Sequence, residues 1–255
     1  MNRPLTRRKF LALGLGFVPI AAGVDARFGE PTWLRVSHFN LRPQPANRFV
    51  HFSDLHYKGD AEYAAKVVET INALAPDFVC FTGDLVEQVR FAPAAFDFIR
   101  QIERPVYGCP GNWDYSSGAD FRDYEKAFAA TGGGWLEDRS VVLEKPGLEI
   151  VGMGHRGVHS LGEPLAARQI LLIHYPLQAD RLDGHTYDLI LAGHSHGGQV
   201  RLPFYGALKL PYGVGRYEAG RYDSLGGPLY VNVGIGTYLL PVRFNCRPEI
   251  TVIGI

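Results

Sequence analysis

The chain has 255 residues, 46% hydrophobic and 20% charged, with 26 basic against 26 acidic side chains. That is the balance of a globular protein able to bury a core, and it gives no global reason to expect a nucleic-acid partner. Thirty Gly and 17 Pro argue for a loop-rich enzyme over a helical bundle, and three Cys exclude a disulfide scaffold.

At the N-terminus Arg3, Arg7, Arg8 and Lys9 precede an apolar run from Phe10 to Val24, 15 residues with three Gly and one Pro. The run is shorter than the roughly 20 apolar residues of a membrane-spanning helix. Basic residues, an apolar run and then Val24-Asp25-Ala26 have the layout of a secretory signal. Thr6-Arg7-Arg8-Lys9-Phe10-Leu11 resembles the twin-arginine consensus, which a translocase reads on folded proteins. The alternative is an uncleaved anchor. Residues 1–26 are therefore read as signal or anchor and 35–255 as one domain. The expected location is periplasmic or membrane-associated, with the cytoplasmic face of the membrane as the alternative.

Along 35–255 apolar runs alternate with helical periodicity. Arg48 to Phe52 predicts a strand. Asp60 can cap a helix whose Ala64, Val67, Val68, Ile71 and Leu74 share one face, ending before Pro76. Phe78 to Phe81 is a buried strand, Ala94 to Ile102 a helix, and Val106-Tyr107 opens a third strand. Asp120 to Ala130 is a helix closed by Gly132-Gly133-Gly134. Strand–helix alternation implies parallel βαβ units. In the second half Val141 to Met153 reads as strand, turn at Pro146-Gly147, strand. Ile170 to Ile173 and Leu189 to Leu191 are buried strands flanking a short helix near Ala179. Leu229 to Val233 and Glu249 to Ile255 are strand-like. The simplest assembly is an α/β sandwich of mixed sheets covered by helices.

Five of these runs end in short turns that carry metal-capable side chains. They lead to Asp54 and His56, to Gly83-Asp84, to Gly111-Asn112, to His174, and to Gly193-His194-Ser195-His196. Ligands bind at the carboxyl ends of parallel strands, so Asp54, His56, Asp84, Asn112, His174, His194 and His196 should converge. Glycines beside Asp84, Asn112 and His194 fit tight turns that approach the site closely. Any one of these motifs alone is weak; their conjunction at five strand ends is not. Seven ligands exceed what one ion takes while keeping a reactive position, and two ions sharing a ligand account for them. Such pairs serve in-line displacement at phosphorus, with a metal-activated water as nucleophile.

The ordered set Asp54-x-His56, Gly83-Asp84, Gly111-Asn112-x-Asp114, His174 and Gly193-His194-x-His196 resembles the calcineurin-like metallophosphoesterase superfamily from about residue 48 to 200. Gly197-Gly198-Gln199-Val200 and Pro241-Val242-Arg243-Phe244 to Pro248-Glu249-Ile250 are similar to a bacterial subfamily of exported or membrane-associated phosphoesterases. The resemblance implies a four-layer α/β/β/α sandwich and two divalent ions bridged by a hydroxide nucleophile. One ion would take Asp54, His56, Asp84 and His196, the other Asp84, Asn112, His174 and His194. Mixed oxygen and imidazole donors suit manganese, iron or zinc more than calcium or magnesium, and of these manganese is favoured. A phosphate ester, lipid-linked or nucleotide-linked, is the expected partner, with contact to a membrane surface, the twin-arginine translocase during export, and no nucleic acid.

One position departs from the family's pattern. Where G-N-H is usual, this chain has Trp113. Indole donates a hydrogen bond but supplies no proton near neutral pH. Asp84, Asn112 and Trp113 are therefore the expected catalytic positions. Either His155 or His159 protonates the leaving group or the leaving group needs no proton, as in a pyrophosphate bond. The resembling UDP-2,3-diacylglucosamine pyrophosphatases of lipid A biosynthesis also lack the His, which makes that activity the alternative; a non-catalytic metal-binding scaffold is a third reading. Cys80 and Cys109 are expected as small core residues, and Phe204 to Tyr222 as a loop beside the pocket.

Overall fold

The computed structural model describes residues 22–154, 157 and 163–255. Residues 1–21, which hold most of the signal reading, and His155 and His159 lie outside the described residues. No helix among the described residues is long and apolar enough to cross a membrane.

In chain order the strands are β1 (Arg35–Asn40), β2 (Arg48–Phe52), β3 (Phe78–Phe81), β4 (Val106–Gly108), β5 (Gly134–Trp135), β6 (Arg139–Leu143) and β7 (Leu148–Gly152). They continue with β8 (Gln169–Leu172), β9 (Leu189–Ala192), β10 (Arg201–Leu202), β11 (Gly206–Ala207), β12 (Gly220–Ser224), β13 (Gly227–Val231) and β14 (Glu249–Gly254). The helices are α1 (Ala61–Ala73), α2 (Ala92–Arg100), α3 (Asn112–Ser116) and α4 (Phe121–Ala129). One six-stranded sheet has the order β1-β14-β2-β3-β4-β5 and the other β12-β13-β9-β8-β7-β6. In the first, β2 to β5 run parallel and β14 lies antiparallel to β2. In the second, β7, β8, β9 and β13 run parallel, with β6 and β12 antiparallel at the edges.

Alternation along the strands divides the side chains among three apolar layers. Phe78 and Cys80 of β3, with Phe49 and Tyr107, meet Ile150, Ile170, Leu172, Leu189 and Leu191 of the other sheet. Val79 and Phe81, facing the opposite way, pack with Val50 and Phe52 under α1, α2 and α4. The outer face of the second sheet, through Leu171, Ile173 and Ile190, is covered by Ala179, Leu182 and Tyr217. Its covering layer holds the 3-10 turn Pro176–Asp180, the short helix expected near Ala179. Each fully buried aliphatic or aromatic side chain contributes about 1.5–3 kcal/mol, so both faces of both sheets stabilise the sandwich.

Helix α1 is as expected, with the Asp60 carboxylate accepting from the Tyr63 N–H at 3.0 Å. Its Ala64, Val67, Val68 and Ile71 are buried. Helix α2 begins two residues before the expected Ala94, because Pro93 is tolerated in a first turn where its missing N–H has no partner to lose. Gly134 opens β5 as well as breaking the chain after α4. Strands β1 and β12 escaped the apolar pattern: both are edge strands with partly exposed, polar sequences. Cys80 and Cys109 are buried free thiols on adjacent strand paths, as expected.

Candidate metal centre

Asp54 and His56 follow β2, Asp84 follows β3, and Asn112 is the first residue of α3 just beyond β4. His174 follows β8, and His194 and His196 follow β9. The carboxyl edge that gathers them is thus shared by two sheets, three strand ends from one and two from the other. Backbone and ring donors stitch the sheets together there. The His194 N–H donates to the Asp54 carboxylate at 3.0 and 3.1 Å, and His174 Nδ1 donates to the Thr82 carbonyl at 2.7 Å.

Five of the seven side chains leave the backbone from left-handed conformations: Asp54 (φ 53), His56 (φ 44), Asp84 (φ 61), His194 (φ 65) and His196 (φ 48). For residues other than glycine this costs on the order of 1–3 kcal/mol each. Two glycines make room for the result. A Cβ at Gly111 would overlap the Asp84 carboxylate, and one at Gly193 would overlap Ser53 and Asp54.

The side chains form two adjoining groups, Asp54, His56 and His196, and Asp84, His174 and His194, all buried. In the first, His56 Nε2 lies 3.1 Å from His196 Nε2 and 3.9 Å from Asp54 Oδ1, while His196 Nε2 lies 3.5 Å from Asp54 Oδ1. In the second, His174 Nε2 lies 3.1 Å from each of Asp84 Oδ2, His194 Nδ1 and Asn112 Oδ1. The far nitrogens are engaged elsewhere, His194 Nε2 with the Tyr212 carbonyl at 2.7 Å and His56 Nδ1 at 3.0 Å from Glu87 Oε1. This fixes which nitrogen faces the centre.

Burial pushes Asp54 above the usual carboxylate range. Burial acts on Asp84 in the same sense, but the charge and hydrogen bond of His174 outweigh it and hold the carboxyl at about 2. Burial alone would push His174 down; Asp84 carries it up to about 9. His194 is pushed down to about 4 by burial and by His174, and His196 well below its usual range by burial and by His56. The neutral rings of His194 and His196 thus converge beside an Asp84 carboxylate whose charge is met here by the cationic His174, a place a metal cation can take. The donor set of two carboxylates, one amide oxygen and four imidazoles fits divalent transition ions.

A cavity of about 80 Å³ opens onto the centre, lined by His56, Asp84, Asn112, Trp113, His194, His196, Pro211 and Tyr238. Trp113 is at its wall, its backbone N–H donating to Asp84 Oδ1 at 2.8 Å. Of the expected loop from Phe204 to Tyr222, Tyr212 reaches the centre through its carbonyl, and part of the segment forms β11 and enters β12.

Four residues of this region carry roles that sequence reasoning missed. Tyr238 stands 6.1 Å from Trp113 and 6.0 Å from His196, ring centre to ring centre. No motif marks it, because its loop joins the centre only through folding. Asp114 accepts from the N–H groups of Asp84, Leu85 and Gly111 and from the Tyr124 hydroxyl. Its spacing in Gly-Asn-x-Asp was the available signal. Glu87 Oε1 lies 3.0 Å from His56 Nδ1 and 2.9 Å from Lys58 Nζ. Arg243, fully buried, donates to the carbonyls of Val233, Gly234, Gly236 and Cys246 and so holds the loop that carries Tyr238.

A family model described as Calcineurin-like phosphoesterase matches residues 47–198. The chain is 30% identical to the "Uncharacterized metallophosphoesterase YkuE" of Bacillus subtilis (strain 168), with 98% of this chain and 97% of that one covered. It is 27% identical to the "Phosphodiesterase YaeI" of Escherichia coli (strain K12), with 98% of each covered. With the "UDP-2,3-diacylglucosamine pyrophosphatase LpxG" of Chlamydia trachomatis it shares 26% identity over 91% of this chain and 92% of that one.

Proposed function

The chain belongs to the calcineurin-like phosphoesterase family, and on that premise we propose that it hydrolyses a phosphodiester or pyrophosphate bond with two divalent ions. The position of Asp84 carries this reading. Its Oδ2 lies 3.5 Å from His56 Nε2 in one donor group and 3.1 Å from His174 Nε2 in the other. A carboxylate facing both groups supports a shared ligand, with Asp54, His56 and His196 completing one site and Asn112, His174 and His194 the other. Two ions, when bound, supply a nucleophile from water at neutral pH and stabilise charge developing at phosphorus. Manganese is the ion we favour among those, with iron and zinc, that mixed oxygen and imidazole donors suit.

The chain's own residues prepare that chemistry. The Thr82 and Tyr212 carbonyls engage His174 Nδ1 and His194 Nε2 and so turn His174 Nε2 and His194 Nδ1 inward. Trp113 and Tyr238 wall the cavity with aromatic surface. Trp113 places no acid beside a departing oxygen, which supports substrates whose leaving group departs without a proton: an aryl oxide or the phosphate of a pyrophosphate bond. That same feature, with the LpxG relative, favours UDP-2,3-diacylglucosamine as a second reading. Thr6 to Leu11 supports export by the twin-arginine pathway and therefore work beyond the cytoplasmic membrane.

The test is a substrate panel on manganese-loaded protein, with metal content measured. We expect about two equivalents of metal and hydrolysis of an aryl phosphodiester. Asp84→Asn should abolish turnover and lower metal content at both sites; Asp54→Ala and His194→Ala should each lose one equivalent. Full activity of Asp84→Asn would overturn the two-ion reading. Release of UMP from UDP-2,3-diacylglucosamine in preference to diester hydrolysis would establish the second reading, and metal binding without hydrolysis of any ester would leave a scaffold.

A further inference from the structure

Two loops form the rim of the candidate metal centre, and both turn large apolar side chains outward. On one side the β10–β11 hairpin and the segment after it expose Phe204 completely, Tyr205 to 73% and Tyr212 to 88%. On the other, Leu239 and Leu240 are 69% and 68% exposed. Between the loops runs a groove of about 410 Å³, with Lys209 on its wall and His196 at its inner end.

The backbone behind these side chains is held in place. The Gln199 amide donates to the Tyr238 and Leu240 carbonyls, its oxygen accepts the Tyr238 N–H, and the Tyr212 carbonyl accepts from His194. Large apolar side chains exposed together on both sides of a groove mark an interaction site. The course of the chain says which one. The Ala26 carbonyl accepts the Arg243 N–H at 2.9 Å, and the Glu30 carboxylate accepts the N–H groups of Asn245 and Cys246. The N-terminal segment is therefore fastened to the strip that directly follows Leu240. The described chain begins at Ala22, four residues before this attachment, and the sequence from Phe10 to Val24 is apolar.

We propose that the rim is a docking surface for a lipid bilayer, which sets the mouth of the metal centre against the headgroup layer. Leucine and phenylalanine enter the acyl boundary, tyrosine rests at the headgroups, and the Lys209 amine reaches anionic phosphates. The substrate class that follows is a phosphoester carried on a lipid. That last step rests on the phosphoesterase reading; the docking does not.

The test uses the full chain with Leu240→Cys labelled by a polarity-sensitive thiol dye, since Cys80, Cys109 and Cys246 are buried. A label at Asp97→Cys, on the exposed side of α2, is the control. Vesicles of phosphatidylcholine and phosphatidylglycerol should blue-shift the label at 240 and leave that at 97 unchanged. An unmoved label at 240, equal shifts at both positions, or a shift at 240 that rises with protein concentration without vesicles (a second copy covering the rim) each overturn docking. In parallel, Phe204→Ser with Tyr205→Ser should slow hydrolysis of a vesicle-borne aryl phosphodiester at least 10-fold and leave the water-soluble ester untouched. An equal fall on both esters overturns the lipid substrate class. No hydrolysis of the soluble ester by the unaltered protein overturns the phosphoesterase reading instead, with docking still decided by the dye.

Discussion

The backbone N–H of Trp113, not its ring, is what bonds Asp84. Any residue but proline can supply that bond, so the side chain can change without disturbing the cluster. This explains how a tryptophan can stand where the family's pattern has histidine while the seven candidate ligands keep their places. It also makes the position a clean probe. Trp113→His should leave metal content unchanged and raise kcat/KM for alkyl phosphodiesters about 100-fold, the scale of general acid catalysis. Aryl esters should change little, so the dependence of rate on leaving-group pKa should flatten. A native dependence already flat would place the acid elsewhere, with Tyr238 at the cavity wall the first group to substitute.

At the scale of elements, Asp114 joins three segments that the sequence separates. Its carboxylate receives Asp84 N–H and Leu85 N–H after β3, Gly111 N–H after β4, and Tyr124 Oη of α4, at 2.8, 2.9, 2.8 and 2.9 Å. Burial and the neighbouring Asp84 push its carboxyl up to about 6 in spite of those bonds. Asp114→Ala would orphan buried donors in two loops at once. The expected cost is at least about 3 kcal/mol, from the loss of charge-assisted bonds and the desolvation of unpaired donors. Urea unfolding should register this together with reduced metal content, because Asp84 loses its anchor. Tyr124→Phe removes one bond and should cost only about 1 kcal/mol. Equal losses in the two variants would mean that Asp114 contributes no more than its bond to α4.

For the molecule as a whole, the centre is where the sandwich is fastened. Asp54, His56, Asp84 and Asn112 come from one sheet and His174, His194 and His196 from the other. Ions bound between them would bind the folded chain and not the unfolded one. At a hundred times the dissociation constant that is worth about 2.7 kcal/mol. For a chain of this size the shift is about 5–10 °C in Tm. Dialysis against EDTA should lower the melting temperature by that amount, and manganese should restore it. An unchanged Tm would mean that cross-sheet bonds such as His194 to Asp54 already fasten the edge without ions.

The strands β2, β3, β8 and β9 and helix α1 were legible in the sequence because their apolar period is local. The seven candidate ligands were legible because each sits two to four residues past the end of β2, β3, β4, β8 or β9. The same adjacency picked out Gly111 and Gly193 as points of close approach. What folding alone decided is whatever depends on partners distant in the chain. Edge strands β1 and β12 show no apolar pattern, since one margin of each faces solvent. That the five strand ends belong to two sheets follows from packing Phe49 and Phe78 against Leu189 and Leu191, which no local period records. The left-handed backbone at Asp54, His56, Asp84, His194 and His196 is invisible to residue type, because its cost is borne by the surrounding fold. Tyr238, Glu87 and the exposed rim of Phe204 and Leu240 acquire their place at the centre only when the loops close over it.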